Sequence, residues 1–184
     1  MSKENNNKQL KRLLHQQKEP EDILQEQIAA GLKEHRRPNL SLFFSAFTAG
    51  LEVGFSVFLM AIFYSIFVDE ISASAMHFLL AAAYSLGFIF VIIGRSELFT
   101  EHTVLAVLPV LDKRAGIRSL ASLWGIIFSG NLIGGYFFAF FLTIIGPQLG
   151  IVDEKSFEAL ANKMIQFDWE IILGSGLLAG WLMG

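Results

Sequence analysis

Three long apolar runs, each carrying at most one acidic or basic side chain, set the architecture of this chain. From Leu40 to Val68 the only such side chain is Glu52, and from Ile71 to Ile93 it is His77. Both runs exceed the ~20 residues needed to cross ~30 Å of hydrocarbon. The third, Leu120 to Gly146, has none, and would be about 40 Å long as a helix, enough to cross with tilt. A fourth run, Ile171 to Gly184, reaches only about 21 Å.

The second run cannot continue as one helix through Leu111. From Ile71 it would then span about 60 Å, with Arg95, Glu97 and Glu101 in turns facing lipid. The pattern predicts an interruption at about 94–103, from Gly94 to about His102. After it, Thr103 to Leu111 forms a short apolar half-helix kinked by Pro109. Irregular backbone at membrane depth is tolerated only where it is buried in protein or lines a wet cavity. A half-helix that starts there directs its free N–H groups and the positive end of its dipole into the gap, which favours anions. Thr100 and Thr103 add hydroxyls that can donate to an oxyanion, and Thr103 equally suits a plain N-cap.

Residues 1–38 read as a cytoplasmic tail, and residues 39–184 as a transmembrane channel domain. Within the tail, residues 1–19 are rich in Asn, Gln and Lys and read as disordered. From Pro20, Ile23, Leu24, Ile28 and Leu32 recur at helical spacing behind the acidic Glu21 and Asp22, predicting an amphipathic helix along the membrane interface. The same spacing suits an ordinary surface helix, and the pattern does not separate the two. The first 39 residues contain no apolar core followed by a cleavage site, so no signal peptide is expected.

Composition agrees with an integral membrane protein: 53% of residues are hydrophobic and Phe supplies 18 of 184, with positive mean hydropathy. The net charge of −3 matters less than where the cations fall. Eight of the 14 Lys and Arg precede residue 39, and Lys113, Arg114 and Arg118 lie between the second and third runs. The connection at Asp69 and Glu70 has none, and residues 147–170 carry Lys155 and Lys163 against five carboxylates. Positive charge is retained inside. The amino terminus is therefore expected in the cytoplasm, with those two connections outside. Without cysteine there is neither a disulfide framework nor a thiolate metal site. One histidine among scattered carboxylates makes a poor metal site. No Ser/His or paired-Asp arrangement within the spans points to an enzyme, and no cofactor or nucleic-acid partner is expected.

The string ELFTEHTVLAVLPVL at 97–111 closely resembles the broken second helix of the formate/nitrite transporter family, especially its YfdC-like inner membrane protein branch. AYSLGF at 83–88 resembles the preceding helix and SGNLIGG at 129–135 the third; the likeness runs in order over about 38–184. It implies an all-α, aquaporin-like fold, here the first inverted repeat plus the start of the fourth helix. It also implies a homopentamer in the bacterial inner membrane, each protomer holding a pore for small monovalent anions of weak acids. Thr100 falls where the family places its loop threonine, with Phe99 and His102 beside it in the pathway. Tyr84 and Phe88 fall where bulky side chains narrow the outer pore, with Tyr in place of the usual Phe. The loop is one residue longer than in formate-type members, with Glu101 and His102 where small residues are usual. The family's central histidine lies on the fifth helix, beyond the residues given. Since an inverted repeat needs a second broken helix, residues 1–184 alone are expected not to transport.

Other residues have plainer readings. Arg95 is expected to pair with Glu97 or Glu101, since intramembrane charges usually pair. Glu52 is expected to contact Arg95 or a neighbouring protomer. Gly130, Gly134 and Gly135 suit close helix approach and Asn131 can hydrogen-bond across helices, with packing the expected role of all four. Trp124, Trp169 and Trp181 suit interface anchors, and His77 the outer membrane surface. The glutamates of the loop leave room for a non-conducting scaffold or sensor as the alternative function.

Overall fold

The computed structural model describes residues 18–183, which apart from short connections are helical. The predicted disorder over 1–19 lies, except for Lys18 and Glu19, outside these residues. Seven helices follow in order: α1 (Pro20–His35), α2 (Asn39–Phe67), α3 (Ala73–Gly94), α4 (Phe99–Leu111), α5 (Ile117–Gln148), α6 (Glu154–Ile165) and α7 (Trp169–Met183). Of these, α2, α3 and α5 are long and apolar enough to cross a membrane, whereas α4 and α7 are shorter apolar helices.

Small residues at four-residue spacing bring α2 and α5 together. Gly130 abuts Ala46, Gly134 abuts Phe47 and Gly50, and Gly54 abuts Phe138. The partners ascend together on both helices, so the two run parallel, as first and third spans must. Between spans there is no gain from removing apolar surface from water, and close backbone approach with dense van der Waals contact takes over. Antiparallel to α2 runs α3, where Gly87 meets Val53 and Ser56 while Gly94 meets Glu52. The fully buried Ser56 hydroxyl donates to the Tyr84 carbonyl at 2.6 Å and accepts from the Gly87 amide at 2.7 Å.

The half-helix α4 rests on α5 and α2 through Leu42, Ala46, Ala106, Leu123 and Ile127, with Phe99 and Trp124 packed at the edge. Trp124 thus belongs to internal packing, whereas Trp169 and Trp181 are exposed. Helix α1 docks on α4. Gly31 sits against the Leu105 carbonyl and the Pro109 ring, and Leu105 is the residue whose intrahelical donor Pro109 removes. His35 closes the joint: its Nε2 donates to the Ala106 carbonyl at 2.9 Å and its Nδ1 meets the Ser119 hydroxyl at 2.7 Å. Ile28 is buried by this docking while Ile23 and Leu24 remain exposed.

Helix α6 is amphipathic and was not anticipated from the span pattern. The Asp153 side chain caps it by accepting from the Lys155 amide. Ser156 contacts the Ser65 hydroxyl at 2.7 Å, and the Lys163 ammonium lies 5.3 Å from the Tyr64 ring centroid. A cation over an aromatic face and a shared hydroxyl pair thus fasten the connection after α5 to the end of α2.

Gly134→Ala is expected to destabilise the fold by about 1–3 kcal/mol, because the added methyl meets backbone that cannot turn aside. Thermal unfolding in detergent checks this, with Gly125→Ala, which meets nothing within 4 Å, as the neutral control.

Candidate functional site: the interrupted second span

Four residues, Arg95 to Leu98, separate α3 from α4. Arg95 adopts the left-handed conformation (φ 52°, ψ 40°), and its amide and that of Ser96 both return to the Val91 carbonyl. A left-handed residue that closes a helix in this way is usually glycine. Here arginine takes the position, and the reversal turns Ser96 and Glu97 inward, 5% and 4% exposed, while Arg95 stays exposed.

The interruption is shorter than the sequence pattern predicts. Helix resumes at Phe99, so Thr100, Glu101, His102 and Thr103 lie in the first turns of α4 rather than in a loop. The reason is that the new helix has its donors satisfied at once: the Leu98 carbonyl accepts from the amides of Glu101 and His102, each at 3.1 Å. Thr103 is therefore not the N-cap. Leu98 holds that place without a side-chain bond, and the Thr103 hydroxyl donates back to the Thr100 carbonyl at 3.0 Å.

Asn131, from the uncharged Leu120–Gly146 stretch of α5, spans the gap. Its amide oxygen accepts from the Phe99 N–H at 2.8 Å, and its amide nitrogen donates to the carbonyls of Glu97 and Ala46, both at 2.8 Å. Two backbone groups that the break would leave unpaired, the Phe99 amide and the Glu97 carbonyl, are answered by one side chain, which is itself anchored on the Ala46 carbonyl of α2. Of the first four amides of α4, that leaves Thr100, whose N–H and hydroxyl have no partner among the described residues.

The ion pairs also differ from expectation. Arg95 pairs with neither Glu97 nor Glu101, since its left-handed backbone faces it outward. Glu97 instead takes Arg37, from the α1–α2 connection, on one oxygen and His102 on the other. Arg37 also bonds Glu34 at 2.8 Å. Glu52 meets the Ser96 hydroxyl and Gly94 rather than Arg95. Among the described residues no group of three His, Cys, Asp or Glu is placed to hold a metal ion.

Tyr84 and Phe88 pack side by side on α3 with ring centroids 5.3 Å apart and planes tilted by 59°. Tyr84 lines a cavity of about 350 Å³ with Met60, His77, Leu160 and Lys163. Leu98 and Asn131 line a separate apolar cavity of about 260 Å³ between α2 and α5. Phe99 lies against α5, its centroid 6.1 Å from that of Trp124 and 5.4 Å from that of Phe128.

Compared with known families, the chain matches the formate/nitrite transporter model over residues 21–184, a stretch that includes the interrupted span and Asn131. The chain belongs to the formate/nitrite transporter family. Members of this family are membrane proteins of aquaporin-like fold. Over 156 residues the chain is 32% identical to the inner membrane protein YfdC of Escherichia coli, covering 83% of this chain and 49% of that protein. It is 27% identical over 172 residues to the uncharacterized transporter YrhG of Bacillus subtilis, covering 90% and 62%. It is 28% identical over 147 residues to the nitrite transporter NirC of Salmonella typhimurium, covering 78% and 52%. This formate/nitrite transporter family chain thus spans about half the length of the relatives it matches.

Sequence reasoning placed Glu97, Thr100 and His102 near the interruption but missed Arg37, Ser96 and the bridging role of Asn131. Asn131 carried the available signal, as the one amide side chain in an otherwise uncharged span. Asn131→Leu is expected to leave the Phe99 amide and the Glu97 carbonyl unpaired, at about 1–3 kcal/mol for each group that stays buried. A lower unfolding midpoint and faster hydrogen exchange at 97–101 would register the loss.

Proposed function

We propose that the whole protein conducts small monovalent anions of weak acids, of the formate or nitrite kind, across the bacterial inner membrane, with its amino terminus in the cytoplasm. In this reading it is a homopentamer without catalytic activity or cofactor, and each protomer carries its own pathway. The observation that carries the proposal is the Thr100 amide and hydroxyl, two uncommitted donors at the positive end of a half-helix that begins within the second span. Donors so placed stabilise an anion that has shed its water. Fixed dipoles at a helix N-terminus suit a solute that must also leave, since they attract without a full opposing charge.

Two further features support it. The Glu97 carboxylate, which would repel an anion, is paired with Arg37 and faces His102. Outside the break, the cavity beside Tyr84 contains His77 and Lys163, groups that favour an incoming negative charge. Relatives named nitrite transporter NirC and formate channel FocA point to the same class of solute. A scaffold without conduction would fit a break lined by unpaired carboxylates, and the pairing of Glu97 weighs against it.

In proteoliposomes, formate or nitrite flux is expected above empty vesicles, and Thr100→Val is expected to lower it about tenfold, the change corresponding to one hydrogen bond to a charged group. Thr100→Ser, which keeps the hydroxyl, should retain most of it. Absence of anion flux in the wild type would remove the proposal.

A further inference from the structure

We propose that His102 is a positioning residue: its ring carries a proton toward Glu97, and that proton fixes the turn that presents Thr100. The inference rests on the proposed conduction only for its transport readout.

Hydrogen-bonding capacity decides where the proton is. His102 Nδ1 lies 3.2 Å from the Leu98 carbonyl oxygen, an atom that can only accept, so Nδ1 carries a hydrogen. On the other side of the ring, Nε2 contacts a carboxylate oxygen of Glu97. Without a hydrogen on Nε2, its lone pair would sit in contact with a carboxylate oxygen. Nε2 therefore carries a proton as well, and the imidazolium, held to Glu97 by charge at a contact off the line of a hydrogen bond, joins the Leu98 carbonyl to the Glu97 carboxylate. Residues 97 to 102 are closed into a loop with Thr100 inside it.

Charge balance favours the same state. The carboxylates of Glu34 and Glu97 converge on a single guanidinium, Arg37. With that proton the cluster holds two negative and two positive charges; without it, a net negative charge remains in a poorly solvated place. The other titratable groups nearby are committed or outward. On α4 itself Glu101 is exposed, and Arg95 in the break is exposed. On α2 Glu52 is held by Ser96, and on α1 His35 is held by Ala106 and Ser119. From Leu120 to Gly146, α5 contributes no charged group.

Losing the proton therefore breaks the contact at Nε2 and leaves Glu97 to Arg37 alone. The turn then loosens, and Thr100 loses its fixed aim. His102→Gln separates the roles, because an amide N–H donates to Glu97 at every pH.

The test is anion flux across about pH 5 to 8, the range in which histidine changes charge, together with hydrogen exchange of residues 95–101 corrected for its intrinsic pH dependence. Wild-type flux is expected to fall with rising pH by about tenfold relative to His102→Gln, as for one charge-assisted contact. Exchange in the wild type should quicken over the same range, while His102→Gln stays flat and His102→Ala is fast throughout. Identical pH profiles for wild type and His102→Gln, in flux and in exchange, would overturn the assignment while leaving conduction standing. A pH-dependent exchange that only the Gln variant lacks, in vesicles that pass no anion, would uphold the assignment and remove conduction.

Discussion

An unpaired peptide group has no water to turn to within a bilayer, and this one constraint shapes the structure. The second span stops at Gly94 and restarts at Phe99, and every polar group opened by that interruption needs an answer from nearby protein. Leu98, Asn131, Ser96 with Glu52, and the charge cluster of Arg37, Glu97 and His102 supply the answers. The close glycine packing of α2 on α5 serves the same end, since it is what brings Asn131 within reach of the gap.

Satisfying the break leaves a residue of chemistry. Most donors at the start of α4 are taken by Leu98 and Asn131, so the half-helix does not offer a broad anion site. What it offers is narrow: one amide and one hydroxyl on Thr100, flanked by a carboxylate paired with Arg37 and His102. In the proposed conduction, selectivity for a small solute would follow from how little is left open, with the two aromatic rings on α3 adding bulk without charge.

The spans were legible because their signal is composition over length, which no tertiary contact can override in a membrane. The break was legible in location, since Arg95, Glu97 and Glu101 could not all sit in lipid-facing turns. Its extent was not, because the restart at Phe99 depends on Asn131, thirty-two residues away, donating and accepting across a helix interface. Arg37 looked like one more cation of the tail. Nothing local distinguishes it from Arg36, and only the fold brings it to Glu97. Likewise Arg95 was expected to pair because it is charged, whereas the left-handed turn it occupies sends it outward. Helix α6 was signalled by Asp153 ahead of Phe157, Leu160 and Met164, a pattern easily passed over beside longer apolar runs.

The parallel seating of α5 on α2 has a bearing on biogenesis. The chain is delivered in order, so residues 95–98 reach the membrane ahead of Asn131, and the Phe99 amide and the Glu97 carbonyl arrive before the partner that joins them. The hydrogen bonds of the break are complete only once the third span supplies that amide. The last span to join the trio thus finishes the shape of the one before it, and the ribosome's order of delivery is written into the geometry of the gap.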